Sequence, residues 1–333
     1  MNDYRSKLQN AHCLITGGLG FIGSNLAHYL VNLGARVTLV DSLIPEYGGN
    51  LFNIAGIKDR IHVNIADVRD EYSMNYLVKG HDFLFNLAGQ TSHLDSMQDP
   101  YTDLEINCRA QLSILEACRK NNPHIKIVYA STRQIYGKPD YLPVDERHQL
   151  HPTDVNGINK MAGEWYHILY NNVYNLRAVS LRLTNTYGPH MRVKDARQTF
   201  LGIWVRQLIE GNALEVWGDG LQIRDFNYVD DVVEAMIVAA TTDAANGHIF
   251  NLGSDEVISL RDLAALCIEV NGSGNYSIRL FPADRKQIDI GDYYADYSKI
   301  QNTLGWQPRI RLREGLTRTF EFYRKHRAHY WQQ

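Results

Sequence analysis

Asn156 and Lys160 stand four residues apart in the run Asn156-Gly157-Ile158-Asn159-Lys160, inside a stretch that reads as one long helix over 154–175. Residues at that spacing share a helix face. A lysine there can hold a polar ligand, and its charge eases proton loss from a neighbouring group. A phenol at 156 would be such a group. The amide of Asn156 donates and accepts hydrogen bonds but has no usable titration. The pair can share one site, and the amide leaves the source of any proton there open.

Thr16-Gly17-Gly18-Leu19-Gly20-Phe21-Ile22-Gly23 follows a short apolar run at 13–16 and opens an amphipathic stretch at 21–32. Glycines at 17, 20 and 23 permit a tight turn, close backbone approach to a pyrophosphate, and close packing of helix on strand. A helix N-terminus then offers free N–H groups and the positive end of a dipole. Asp41 closes the second apolar run. A carboxylate there can accept both hydroxyls of a ribose and would repel a 2′-phosphate, which selects NAD over NADP.

The elements that must position these residues follow a βα rhythm. Strands are expected at 13–16, 36–40, 61–65, 83–87 and 125–131, with helices at 21–32 and 104–120 between them. In the latter, Leu104, Cys108, Leu112, Leu115 and Cys118 are expected on one buried face. Continuous apolar strands separated by helices imply an α/β fold, a Rossmann-type doubly wound parallel sheet covered on both sides. A strand at 176–183 follows the 154–175 helix. Further helices are expected at 197–210, 229–240 and 260–270, with short strands at 214–217 and 223–227. The expected division is a dinucleotide-binding unit over 1–188, with contributions from about 225–252, and a smaller interleaved lobe over 189–333.

Of 333 residues, 44% are hydrophobic and 21% charged, with a net charge of -3. That balance gives no bulk case for nucleic acid or an anionic membrane. Four cysteines (Cys13, Cys108, Cys118, Cys267) lack metal or redox spacing. Cys13 and Cys118 read as buried thiols of a reducing compartment. The polar first ten residues lack a signal peptide's apolar stretch, and no apolar run approaches the roughly 20 residues that span a bilayer. Cytoplasmic location is the expectation.

Several ordered motifs resemble the extended short-chain dehydrogenase/reductases, in the branch of nucleotide-sugar epimerases and dehydratases. They are the glycine motif, Asp67-Val68, Asn86-Leu87-Ala88-Gly89, Asn107, Ser131-Thr132-Arg133-Gln134-Ile135-Tyr136-Gly137, and Leu183-Thr184-Asn185-Thr186-Tyr187-Gly188-Pro189. Near the end stand Asp296 to Lys299 and Leu304-Gly305-Trp306-Gln307-Pro308. The resemblance implies a bound NAD touched by Gly17, Gly20, Phe21, Ile22, Gly23, Asp41 and Ser42. Asp67, Val68, Leu87, Ala88, Gly89 and Thr91 would continue that site. Asn107, Ala130 and Lys160 would complete it, Asn107 by bracing the active-site helix and Lys160 by holding the nicotinamide ribose. It further implies a nucleotide-sugar substrate met by Thr132, Arg133 and Asn185, and a diphosphate clamped by Arg224 with Arg285 or Lys286. The two long helices would form a homodimer.

Two positions depart from that pattern. Members carry a tyrosine where this chain has Asn156. The 4,6-dehydratases carry an Asp-Glu pair where this chain has Arg133-Gln134, so ordinary 4,6-dehydration is not expected. The catalytic set is then Thr132, Asn156 and Lys160, with the proton travelling through a water at Asn156, through Thr132, or to His93 or Tyr166. The leading expectation is an NAD-dependent epimerase. Another nucleotide-sugar transformation (dehydratase or oxidoreductase) and a non-catalytic binder of NAD or nucleotide sugars stay open. The segment Asp103-Leu104-Glu105-Ile106-Asn107 resembles the CDP-sugar 2-epimerases, too briefly to name a base or sugar.

Overall fold

The computed structural model of the protein describes residues 4–195, 197 and 199–331. Strands run in chain order as β1 (His12–Thr16), β2 (Arg36–Asp41), β3 (Ile61–Ile65), β4 (Phe83–Asn86), β5 (Lys126–Thr132) and β6 (Ala178–Leu183). They continue as β7 (Asn185–Tyr187), β8 (Leu214–Trp217), β9 (Ile223–Tyr228), β10 (Ile249–Asn251), β11 (Val257–Ser259) and β12 (Tyr276–Arg279). The main sheet has the order β10-β6-β5-β4-β1-β2-β3 and is parallel throughout. Chain direction along the sheet reverses between β1 and β4. In open sheets that point leaves a crevice outside the carboxyl ends of the strands.

Both faces of the sheet are covered. Cys13 and Ile15 of β1 belong to one buried cluster and Leu14 to another, so alternate side chains feed two separate cores. This explains why the central strands read as unbroken apolar runs. The seventh strand, β10, comes from far along the chain and docks on β6, joining the later residues to the first sheet. Two small sheets, β11-β9-β7 and β12-β8, stand beside it.

The expected helix over 104–120 needs correction. The chain forms Pro100–Leu104, a π-helical turn at Glu105–Arg109, then Ala110–Asn121. The wide turn inserts a residue into the helical repeat and rotates the buried face. Leu104 is consequently exposed, while Ile106, Asn107, Ala110 and Gln111 turn inward. Gln111 Nε2 donates to the Ile106 carbonyl at 2.9 Å, satisfying an acceptor beside the turn. The helix Phe200–Glu210 starts later than expected, capped by Thr199. The helices Glu71–Leu77, His93–Gln98 and Leu312–His326, and strands β7, β10, β11 and β12, are elements that periodicity alone did not mark. No helix among the described residues is long and apolar enough to cross a membrane.

Candidate functional site

A cavity of about 720 Å³ opens at the carboxyl ends of the main strands and reaches across to β8 and β9. At one end lies the glycine loop. Gly17 has φ 67°, and a Cβ there would sit 3.0 Å from the Ala88 amide nitrogen. A Cβ on Gly23 would sit 2.3 Å from the Gly17 carbonyl oxygen, so helix Phe21–Asn32 can approach the loop only without one. Gly20 is its N-cap, and no side chain caps the N–H groups there. That leaves donors and a positive dipole end facing the cavity, which fits a pyrophosphate.

Asp41 lies where β2 ends. Its Oδ2 accepts the Leu19 amide at 3.0 Å and its Oδ1 the Leu43 amide at 2.9 Å. Burial pushes its carboxyl above the ordinary value, and those two amides partly offset the rise. A carboxylate oxygen has more than one lone pair, so acceptor capacity remains for ribose hydroxyls. Asp67 is held below the usual carboxylate range by hydrogen bonds from Arg69, at 2.6 Å for the shortest. Phe21, Ile22, Ser42, Val68, Leu87, Ala88, Gly89, Thr91 and Ala130 all lie on the same wall. These residues fit NAD, and the chemistry it supplies when bound is reversible uptake of a hydride.

At the middle of the cavity, Lys160 Nζ donates to the Ala130 carbonyl at 2.8 Å and stands 4.8 Å from the Tyr129 ring centre. Burial pulls its ammonium down to about 8, against the opposing pull of Asp103 and Glu164. Thr132 ends β5 on the cavity wall, its hydroxyl accepting the Gln134 amide at 3.2 Å.

Asn156 also lies on the wall but is bound from behind. Its Nδ2 donates to the Gln90 carbonyl at 2.8 Å and to Asp103 Oδ2 at 3.0 Å. Asp103, fully buried, accepts also from Asn107 Nδ2 at 3.0 Å and Asn159 Nδ2 at 2.8 Å. Asn156 is thus one of three amides around a buried carboxylate. Asn107 lies behind the cavity and is not among the described residues that line it. The π turn directs it at Gln90 O and Asp103, so its brace reaches the active-site helix through that carboxylate.

The far end carries the cations. Arg133 donates to Asn185 Oδ1 at 2.9 Å and lies 5.2 Å from the Tyr293 ring. Arg224, nearly buried, donates to the Ile223 carbonyl at 2.9 Å and to the Gly291 carbonyl, and faces Asp289 at 3.3 Å. Burial, then the charge of Arg133, lower its guanidinium to about 10. Burial also lowers the guanidinium of Arg133, and two buried guanidiniums on one wall suit an anion. Arg285 stacks on Trp217 at 4.6 Å, on the wall with Phe281. Lys286 is exposed and absent from that wall, because one helical step turns it about 100° from Arg285. The Trp217–Phe281 pair was not marked by sequence reasoning. Its rings come from separate segments, and only the pairing of β8 with β12 brings those segments together.

Of the proton-exchange candidates, Tyr166 is excluded by position. Its hydroxyl faces Cys108 and its ring packs on the second core cluster, off the cavity. His93 lies on the cavity wall, with Nδ1 2.9 Å from Asp154 Oδ2. All four cysteines are free, and three are buried.

A doubly wound parallel sheet whose first glycine turn, second-strand acid and helix-borne lysine meet in one cleft defines an NAD-type α/β enzyme. The sequence profile of the NAD-dependent epimerase/dehydratase family matches residues 13–253, and the chain belongs to that family. It is 30% identical over 316 residues to a UDP-glucose 4-epimerase of Mycolicibacterium smegmatis, covering 93% of this chain and 98% of that one. It is 31% identical over 326 residues to a UDP-N-acetyl-alpha-D-glucosaminuronate decarboxylase of Bacillus cytotoxicus, covering 94% and 98%. Among solved structures, an epimerase of Methanothermobacter thermautotrophicus superposes with a TM-score of 0.91 at 25% identity, covering 98% of this chain and 96% of the other.

Proposed function

We propose that the protein is an NAD-dependent epimerase of a nucleotide-activated sugar, with proton transfer that does not pass through position 156. The carrying observation is that one cavity joins the glycine loop, Lys160, Thr132 and the Arg133–Arg224–Arg285 cluster. An anion-binding end so far from the glycine loop suits a second diphosphate, which a nucleotide sugar has. Its sugar would then lie beside Thr132 and Lys160. With NAD bound, a hydride leaves a ring carbon and returns to its other face, so no outside oxidant is needed.

In this reading Lys160 orients the ribose of the cofactor, and the Thr132 hydroxyl orients the sugar at the carbon oxidised. Arg133 and Arg224 neutralise the diphosphate, and Trp217 with Phe281 offers a flat apolar seat for a base. Asn156, its N–H groups committed to Gln90 and Asp103, holds the wall in shape. The commitment of that amide also favours a second reading, a non-catalytic NAD or nucleotide-sugar binder. Dehydration is disfavoured because Gln134 is an amide bonded to Asp154 at 2.8 Å, with no acid of its own.

A homodimer is part of the proposal. Ile158, Trp165, Leu169 and Val173 form an exposed apolar stripe along helix Val155–Tyr174, with Tyr101 and Leu104 exposed on the neighbouring helix. Single exposed apolar residues need no explanation, but a row of them on one helix suits a partner surface. The free buried thiols suit a reducing, cytoplasmic setting. The test is turnover: purified protein with UDP-, dTDP-, GDP- and CDP-sugars should convert one of them to an epimer. Binding of a sugar without conversion of any would favour the binder.

A further inference from the structure

We infer that His93 is the proton-exchanging catalytic residue of this site and that Asp154 is its positioning residue, an inference that rests on the epimerase reading above. His93 opens the short helix His93–Gln98, and Asp154 is the N-cap of helix Val155–Tyr174. The two helix starts meet at the cavity. His93 has a side chain 39% exposed, whereas that of Asp154 is 0% exposed. The pair therefore has one wet end and one dry end. Between them, Nδ1 and Oδ2 are 2.9 Å apart.

Asp154 is itself fixed on both oxygens. Oδ1 accepts the Gly157 amide at 2.7 Å, and Oδ2 accepts Gln134 Nε2 at 2.8 Å. Burial raises its carboxyl, but His93, the Gly157 amide and Gln134 together bring it below the ordinary value, so it stays charged. Gln134 lies two places beyond Thr132, which sets the dyad beside the hydroxyl assigned to the sugar. Nδ1 is buried, and Oδ2 lies off the direction of the ring N–H, so the 2.9 Å contact is a close approach rather than a straight hydrogen bond. A small turn of the ring aligns it, as bonds at catalytic sites commonly tighten when substrate binds.

An imidazole whose Nδ1–H is directed at a buried carboxylate keeps an Nε2 lone pair for the cavity. Nε2 takes the proton of the sugar hydroxyl. The O–H bond would break and a C=O bond form, the hydride leaving the carbon being what NAD, held by the glycine loop, Asp41 and Lys160, would accept. On return, the same hydride would re-form the C–H bond on the opposite face, and Nε2–H would give the proton back to oxygen. The other groups fit the role less well. Lys160 Nζ is tied to the Ala130 carbonyl, Asn156 has no titratable proton, and Tyr166 is outside the cavity.

Two readouts test this on the full chain. Nitrogen NMR of the ring in the free protein should place the neutral-form proton of His93 on Nδ1, and Asp154→Asn should remove that preference. A wild-type ring with its proton on Nε2 overturns the dyad. On whichever nucleotide sugar the wild type turns over, His93→Asn and His93→Gln should each lower kcat by about 100-fold or more, with KM and retained NAD little changed. If both variants keep kcat within a few-fold of wild type, His93 is not the proton carrier and the epimerase reading stands. If the wild type itself converts no sugar, the epimerase reading fails and the catalytic role falls with it.

Discussion

Asp103 is the residue that gives Asn156 its meaning. A buried carboxylate needs donors, and Asn107, Asn156 and Asn159 supply them at 3.0, 3.0 and 2.8 Å. Removing one leaves a buried acceptor short, at a typical cost of about 1–3 kcal/mol. Asn156→Ala should therefore destabilise the protein by that amount in urea unfolding. A loss below about 0.5 kcal/mol would mean the network is slack. Asn156→Tyr removes the same donations, so a phenol placed here should lower stability by a similar amount.

Lys160 makes a second prediction at this scale. Its ammonium titrates near 8 in the folded chain against an ordinary 10.5, so between those values the unfolded chain binds more protons. Stability contributed at this position therefore rises with pH across that window. The stability of wild type relative to Lys160→Met should shift in favour of wild type between pH 7 and pH 10, measured by thermal melts without added NAD. A shift in the opposite sense would mean that Lys160 is not buried as described. The spacing of Asn156 and Lys160 is legible in the chain. Their partners Asp103 and Ala130 are not, since the contacts join residues far apart in sequence.

At the scale of elements, strands buried on both faces announce themselves. The runs 13–16 and 83–87 sit within a residue of β1 and β4, because a parallel strand covered on both sides is apolar along most of its length. The π turn at Glu105–Arg109 was illegible for the opposite reason. A regular 3.6 period fits the apolar residues around it, and only the buried polar demands of Asn107 and Gln111 reveal the extra residue. The helix Leu312–His326 buries Leu316, Phe320 and Tyr323 yet is rich in charge, so its apolar stripe is narrow. For the helix Val155–Tyr174, the exposed apolar stripe predicts association. Wild type should sediment as a dimer, and Trp165→Glu with Leu169→Glu should sediment as a monomer of unchanged helix content. A wild type that is monomeric at high concentration would refute this interface.

Across the whole molecule, the site is assembled from both ends of the chain. The glycine loop and Asp41 come from the first βα units, Lys160 from the long helix, and Arg224 and Arg285 from later in the chain. Sequence motifs marked the glycine loop, Asp41, Lys160, Arg224 and Arg285, because phosphate and dinucleotide contacts depend on local backbone and on fixed side-chain types. The pairing of His93 with Asp154 and the Trp217–Phe281 seat depend on tertiary contact and leave no local pattern. The most direct test of an epimerase without a phenol at 156 mixes the protein with UDP-, dTDP-, GDP- and CDP-sugars. It follows sugar stereochemistry together with the absorbance of bound reduced nicotinamide. The expected result is one sugar converted to its epimer, with reduced nicotinamide rising and decaying on the protein. A sugar that binds tightly while the nicotinamide is never reduced and no epimer forms would contradict it.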